Sequence, residues 1–410
     1  MTTIVDKFNR AYPRANRNKT YKVVNPHNML IQEPVKLVLE TWETIDGQRI
    51  TDSLLPFIEV FDLDTNTIYE RQAEQGARAF EIEIIVELEA QEVKRFGIRL
   101  GKRDHRRRNY TSFVQGAEGV QDIDFPTKEN ELTIETSYYS CHLSSITGVI
   151  DIVDKMTQKN ILRDNALVPF MYGVYENTPI KTTPGQERRR MGRNRKGKGV
   201  NRFISKLTDF QVEKSGEISR SVTLDFSLEG TQLYTVILKF YNELPLITTS
   251  VRIQKDNTWA PENLYISLPI QSISDLYAEK SGQIFRPAID QLPGTNTDFY
   301  LVDSGMFYLD EQGNSVGILP KDTPLFVLGN LDPKLIELCS DKTAYKNKEQ
   351  IFAWVMNNFW ETNFKVDLSG FYEFEFDIYT SSSVQSLEQA HRQLRQHSVG
   401  AFSVITNEDK

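Results

Sequence analysis

The residues best suited to chemistry lie in one short run near the C-terminus, residues 354–364, which combines two tryptophans with three asparagines and a glutamate. Side chains alternate across a β-strand, so an unbroken strand would place Trp354, Met356 and Asn358 on one face. The opposite face would then carry Asn357, Glu361 and Asn363. Aromatic faces beside fixed amide and carboxylate groups suit a polyhydroxylated ligand, because hydroxyl groups need both donors and acceptors. The alternative is that these amides are buried and satisfy the backbone of neighbouring loops.

Histidines and cysteines do not form a recognisable metal site in the sequence. The histidines are His27, His105, His142, His391 and His397. None stands at metal-ligand spacing from another histidine, cysteine or carboxylate, so we expect no metal site in this chain. Cysteine occurs only as Cys141 and Cys339, which are far apart and argue against a disulfide framework.

The run at 354–364 resembles a motif in the C-terminal β-sandwich region of glycoside hydrolase family 38, the α-mannosidase family. Further segments resemble the same region in the same order, namely residues 145–155, 241–247, 261–265, 286–287, 290–295 and 322–325. The resemblance extends over roughly residues 20–380. It implies an all-β fold with a small N-terminal β-sandwich, a large antiparallel supersandwich of the galactose-mutarotase-like kind, and a helix near the C-terminus.

The resemblance also implies a function. In that family an N-terminal α/β barrel supplies an aspartate nucleophile, an acid/base carboxylate and a zinc site, and the reaction is retaining hydrolysis of α-mannosides. This sequence contains no His-x-Asp pair, and we expect no catalytic residue and no cofactor in it. The expected partner is a separately encoded barrel that carries the zinc. The alternatives are an autonomous carbohydrate-binding module and an inactive fragment of such an enzyme.

The same motif names the residues expected to bind a mannoside-like carbohydrate. They are Asn357, Asn358, Trp360, Glu361 and Asn363. A second group of aromatic and polar residues, placed just before a basic segment, is a candidate for lining the same cleft. Its members are Tyr172, Tyr175, Glu176, Asn177 and Thr178.

Composition indicates a globular protein. The chain has 410 residues, of which 39% are apolar and 25% charged, enough for an extensive core and long enough to favour two domains. It has no apolar run of the ~20 residues that span a bilayer and no hydrophobic signal segment at its N-terminus. Together with the sparse cysteines, this predicts a cytoplasmic protein that does not interact with membranes.

The pattern along the chain is that of strands separated by turns. Apolar and charged residues alternate at residues 34–41, 80–89, 221–226 and 371–376, which predicts half-exposed antiparallel strands. A helix is predicted from Val384 to His397, because apolar side chains recur there at helical spacing after a run of serines. The predicted division is an N-terminal extension at 1–19, a small β-sandwich at 20–115, a large supersandwich at 116–382, and a helix and C-terminal tail at 383–410.

Residues 181–202 form a basic loop with nine lysines and arginines against one glutamate, a net charge of +8. Since the whole chain carries −8, the remainder carries −16. Clustered cations bind phosphates, but this loop has no aromatic residue for base stacking and the net charge is wrong for a nucleic-acid binder. We therefore expect a solvated loop, or one that docks on an acidic partner surface, and no nucleic-acid partner.

Overall fold

The structure is a computed structural model that describes residues 19–51, 53–76, 78–102, 131–179, 186, 199–331, 338–339, 350–358 and 367–406. Three of the five residues predicted to bind carbohydrate, Trp360, Glu361 and Asn363, lie outside the described residues. So do most of the basic loop and the predicted boundary between the two sandwiches.

The N-terminal part folds as a small β-sandwich. Its strands are β1 (Thr20–Val24), β2 (Ile31–Glu40), β3 (Thr44–Ile45), β4 (Gln48–Arg49), β5 (Ile58–Asp62), β6 (Ile68–Tyr69), β7 (Arg71–Gln75), β8 (Ala79–Leu88) and β9 (Val93–Leu100), with a 3-10 turn at Leu55–Phe57. One sheet contains β1, β9, β5 and β6 in that order, and the facing sheet runs β2–β8–β7. Strand β2 alternates buried and exposed residues as predicted, because one face packs into the core and the other meets solvent.

The larger part is a second sandwich. Its strands are β10 (Glu131–Glu135), β11 (Tyr139–Ser144), β12 (Gly148–Asp154), β13 (Lys159–Asn160), β14 (Gly173–Asn177), β15 (Asn201–Ile204), β16 (Lys206–Ser215), β17 (Ser219–Ser227), β18 (Thr231–Tyr241), β19 (Leu246–Lys255), β20 (Glu262–Leu268), β21 (Leu276–Lys280), β22 (Gln283–Phe285), β23 (Tyr300–Leu301), β24 (Met306–Leu309), β25 (Ser315–Pro320), β26 (Leu325–Leu328), β27 (Ile351–Asn357) and β28 (Gly370–Ser381). All the pairings between these strands are antiparallel among the described residues.

Two of its sheets pack face to face. The front sheet has the order β15–β14–β20–β27–β26–β23, and the back sheet has the order β16–β17–β18–β19–β28–β25–β24–β21–β22. Gly173 in the front sheet marks their close approach, because a Cβ there would lie 2.6 Å from the Tyr234 ring of the back sheet. The face of the front sheet that carries Gly173 is therefore its inner face, and the other face is its outer face.

The predicted helix is present as α1 (Leu387–Val399), and Ser386 caps its N-terminus by accepting a hydrogen bond from the Gln389 amide. It begins three residues later than the sequence pattern suggested, because Ser386 rather than an earlier serine is the capping residue. Its buried side chains Ala390 and Leu394 pack with Phe307 of the back sheet. The all-β fold, with its small and large sandwiches and a helix near the C-terminus, is confirmed.

After α1 the chain returns to the N-terminal sandwich. Residues Phe402–Thr406 form β29, which pairs antiparallel with β1 and extends that sheet at its edge. The sequence pattern predicts only a tail at this position, so the strand is a difference that the structure reveals. Because β29 follows α1, which packs on the large sandwich, the helix connects the large sandwich back to the small one.

Candidate functional site

The outer face of the front sheet is shaped by an irregularity in β27. Trp354 pairs with Tyr265 and Met356 pairs with Leu264, so Val355 is an extra residue between two consecutive partners on β20. Such a β-bulge resets the alternation of side chains. Trp354 and Met356 therefore point to opposite faces, and the expected regular alternation through this run is wrong. The bulge brings Asn357 to the same face as Trp354.

Four polar residues line up across neighbouring strands of this outer face, and we call them the polar ladder. They are Arg202 on β15, Glu176 on β14, Asn263 on β20 and Asn357 on β27, each directly opposite the next in register. Cross-strand neighbours of this kind have side chains close enough to interact.

Hydrogen bonds connect the whole polar ladder. Arg202 donates from Nε and Nη2 to Oε1 of Glu176, at 2.9 and 2.7 Å. Asn263 Nδ2 donates to Oε2 of Glu176 at 3.3 Å, and Asn357 Nδ2 donates to Oδ1 of Asn263 at 2.5 Å. Glu176 is 1% exposed, whereas the Arg202 side chain is 35% exposed. The ladder thus joins a buried carboxylate to a guanidinium that solvent can reach.

Aromatic rings form the next row on the same face. The Tyr265 and Trp354 rings stack with their centroids 5.5 Å apart, and Phe299 meets Trp354 edge-on at 5.8 Å. Burial raises the pKa of Tyr265 well above its ordinary value, and the Glu176 carboxylate adds to the rise. Tyr265 therefore stays a neutral phenol at any physiological pH. Oriented amides, a carboxylate and an indole side by side can bind a polyhydroxylated ligand.

The inner face at the same end of the sheet holds a buried ion network. The ammonium of Lys255 lies 2.8 Å from Oε2 of Glu262, and both side chains are at most 1% exposed. The Tyr175 hydroxyl donates a hydrogen bond to Glu262 Oε2, at 2.7 Å. Burial raises the pKa of Glu262, while hydrogen bonds from Lys255 and Tyr175 oppose the rise.

Asn358 belongs to this inner region. Its Oδ1 accepts from the Glu262 amide at 2.7 Å, and its Nδ2 donates to the Ala260 carbonyl at 3.0 Å. The side chain is buried and its amide is bonded to backbone on both sides. This is the backbone-satisfying arrangement that the sequence analysis kept as an alternative, and carbohydrate contact by Asn358 stays a prediction.

The second predicted group is divided between the two faces. Glu176 lies in the polar ladder, whereas Tyr175 lies in the buried ion network. Tyr172 packs edge-on against Phe226 with a centroid separation of 4.9 Å. Of the remaining members, Asn177 is the last residue of β14, and Thr178 follows it and donates from its amide to the Pro261 carbonyl.

Two members of the polar ladder were missed in the sequence. Arg202 was counted only as part of the basic loop, and Asn263 only as part of a segment that resembled family 38. The sequence does not show that these residues pair, because the strands that carry the four ladder residues are separated by long stretches of chain. An isolated asparagine next to a strand gives no signal of a partner far along the chain.

No metal site is apparent in the part of the chain that the structure describes. His142 Nδ1 lies 2.5 Å from Asp151 Oδ1 on neighbouring strands, but no third histidine, cysteine or carboxylate joins them within the described residues. These residues therefore do not fit zinc, which binds three or four such ligands. Among the described helices, none is long and apolar enough to cross a bilayer.

The class defined by this architecture is a small β-sandwich joined to a large antiparallel supersandwich. No family model matches the sequence, and no curated protein matches it either. Among solved structures, an α-mannosidase from Enterococcus faecalis covers 97% of this chain with a TM-score of 0.57 and 10% identity. A glycosyl hydrolase family 38 protein from the same organism covers 95% with a TM-score of 0.56 and 9% identity.

The resemblance to family 38 that the sequence predicted is thus confirmed at the level of the fold. This chain spans about half the length of the solved structures that it matches, 47% in both cases. A galactose mutarotase related enzyme from Lactobacillus acidophilus covers 63% of the chain with a TM-score of 0.32 and 14% identity.

Proposed function

We propose that this chain is the non-catalytic β-sandwich portion of an α-mannosidase-type glycoside hydrolase. In this proposal it supports a zinc-dependent catalytic barrel, supplied by a separate partner chain, and contributes to binding a mannoside-like carbohydrate. The observation that carries the proposal is the fold match over 97% of this chain to 47% of an α-mannosidase chain. A match of that extent covers both sandwiches and the helix that joins them.

The polar ladder is the part of the chain that we propose for the carbohydrate. Its carboxylate and amides are held by one another, so they are preorganised and lose little side-chain entropy when a ligand binds. Arg202 at the exposed end adds donors, and Trp354 in the next row adds an aromatic surface. Sugar hydroxyls need donors and acceptors, and the C–H face of a sugar ring packs on an aromatic surface.

The catalytic chemistry is assigned to the partner barrel. The described residues hold no ligand set for zinc. The carboxylate pair of a glycosidase stands about 5–10 Å apart across the scissile bond. Glu176 is instead bound on both oxygens by Arg202 and Asn263. Its role in this proposal is to fix donors and acceptors around a sugar.

The test is to isolate the tagged chain from its native host under mild conditions and to assay the eluate for hydrolysis of an aryl α-mannoside. We expect activity that a zinc chelator removes and added zinc restores, together with a barrel-bearing protein in the eluate. The recombinant chain alone is the control and should be inactive. An inactive eluate that contains only this chain would overturn the assembly, and sugar affinity of the lone chain would then favour an autonomous binding module.

A further inference from the structure

A second feature at the same end of the large sandwich is the loop of residues 256–261, which connects β19 to β20. Hydrogen bonds hold its first residue: the Asp256 amide donates to the Gly230 carbonyl at 3.0 Å, and Gln232 Nε2 donates to Asp256 Oδ1 at 2.9 Å. Lys255 Nζ also donates to the Asp256 carbonyl, at 2.9 Å. The start of the loop is therefore fixed by the back sheet and by the buried ion network.

The far end of the loop is held as well. The Ala260 amide donates to Oγ1 of Thr258 at 3.2 Å, and Asn358 Nδ2 donates to the Ala260 carbonyl at 3.0 Å. Between these anchors, Trp259 is 73% exposed. An indole presented to solvent on a loop that is tied at both ends loses little conformational entropy when it binds a flat apolar surface.

A cleft of about 570 Å³ lies beside this loop and shares Asp256 with it. That volume is in the range of ligand pockets, about 300–1,000 Å³. The residues that line it include Phe203, Gln232, Thr208 and Thr231. Aromatic carbon next to amide, carboxylate and hydroxyl groups suits a ligand with both C–H faces and hydroxyls.

The charge of the residues that line the cleft narrows the class of ligand that it can bind. One basic side chain of the lining, Lys206, stands against two acidic ones, Glu229 and Asp256. A net negative lining repels phosphate and nucleic acid, which are held by clustered lysine and arginine. A neutral oligosaccharide fits the mixture of groups and carries no charge to repel.

We propose that Trp259 and this cleft form a second carbohydrate-binding site, for a neutral oligosaccharide, distinct from the polar ladder. The cleft is lined by residues of the edge strands β15 and β16, among others, whereas the polar ladder lies on the outer face of the front sheet. The proposal rests on the proposed function only for its choice of mannose oligosaccharides as the first probes. In this proposal the buried ion network and Asn358 position Trp259, because both hold the loop that carries it.

The experiment is calorimetric titration of the recombinant chain with mannotriose, maltotriose and cellotriose. We expect at least one of them to bind and Trp259→Ala to weaken that binding about tenfold. The matched control is Trp42→Ala, since Trp42 is also an exposed tryptophan, at 57%, but lies in the small sandwich. The control should bind within twofold of wild type. Equal binding by wild type and Trp259→Ala, equal losses in both tryptophan variants, or no binding of any trisaccharide would overturn the site.

The two proposals fail separately. The second site is read from the affinity of the lone chain, whereas the proposed function is read from zinc-dependent hydrolysis in the native eluate. Trp259 is not part of the polar ladder, so Trp259→Ala should leave the hydrolysis of an aryl α-mannoside unchanged. Trp259 is on the surface, and an unchanged urea midpoint for the variant establishes that it folds.

Discussion

Replacing Lys255 by methionine tests whether the buried ion network is as tightly interdependent as its geometry implies. The change removes the ammonium that lies 2.8 Å from Glu262 and leaves the carboxylate in a site that is 1% exposed. Removing one partner of a buried pair generally costs 3–5 kcal/mol, because the remaining charge is uncompensated. Tyr175 still donates to Glu262 at 2.7 Å. We therefore expect the lower end, about 3 kcal/mol, or roughly a hundredfold in the folding equilibrium.

Strand β19 offers a matched control for this substitution. Arg252 pairs with Glu373 at 2.8 Å, but these side chains are 45% and 36% exposed. Solvent screens an exposed pair of this kind, so Arg252→Met should cost at most about 1 kcal/mol. The double variant Lys255→Met with Glu262→Met removes both buried charges together. It should recover most of the loss, because an apolar pair needs no desolvation of charge.

Urea denaturation monitored by tryptophan fluorescence measures these differences as shifts of the transition of the large sandwich. The reasoning would be refuted if Lys255→Met lost no more than Arg252→Met. It would also be refuted if the double variant were as unstable as the single one, since the cost would then come from packing rather than from an unpaired charge.

Three further predictions concern other parts of the chain. Burial raises the pKa of Asp377 although Lys321 opposes the rise, so the folded state holds this proton more tightly than the unfolded state does. The protonated Asp377 carboxyl therefore stabilises the folded state fully below about pH 4, and this stabilisation is lost as the pH rises through the raised pKa. Urea titrations at different pH values should show that loss in wild type and not in Asp377→Asn. Gly317→Ala should cost about 1–3 kcal/mol in urea denaturation, because its Cβ would lie 1.9 Å from a Tyr379 ring atom; a neutral result would show that the ring can move aside. Deleting residues 401–410 should speed hydrogen exchange of the β1 amides that pair with β29, and unchanged protection would show that β29 contributes nothing to that sheet.

Most of the strands that could be predicted have one face in the core and one in solvent. Alternation at residues 34–41 and 80–89 marked β2 and β8 because their exposed faces carry charged residues. The run at 371–376 likewise marked part of β28. The alternation at residues 221–226 also marked β17, but the half-exposed face expected there is wrong, because Ser221 and Thr223 are buried. In contrast, all seven residues of β20 are buried, so its sequence has no alternation to find. The pairing of β29 with β1 joins opposite ends of the chain, and no local pattern announces it.

The candidate site could be predicted only in part, for a related reason. Asn357 was named through the motif that resembles family 38 and Glu176 from local composition, and both lie in the polar ladder. Their connection through Asn263 depends on register between strands distant in sequence, and Asn357 reaches the outer face only because of the bulge at Val355. A bulge shifts every later side chain to the other face, so a strand pattern that ignores it assigns the wrong partners.

The most direct test of the central proposal is the kcat/KM for aryl α-mannoside of the eluate isolated through the tagged chain, compared between wild type and Asn357→Ala. Loss of one hydrogen-bonding group that orients a sugar should lower this value about tenfold or more. The urea midpoint should stay nearly unchanged, because Asn357 is only half-buried. A wild-type eluate without zinc-dependent activity, or equal kcat/KM for the two, would contradict a role for the polar ladder in an α-mannosidase assembly.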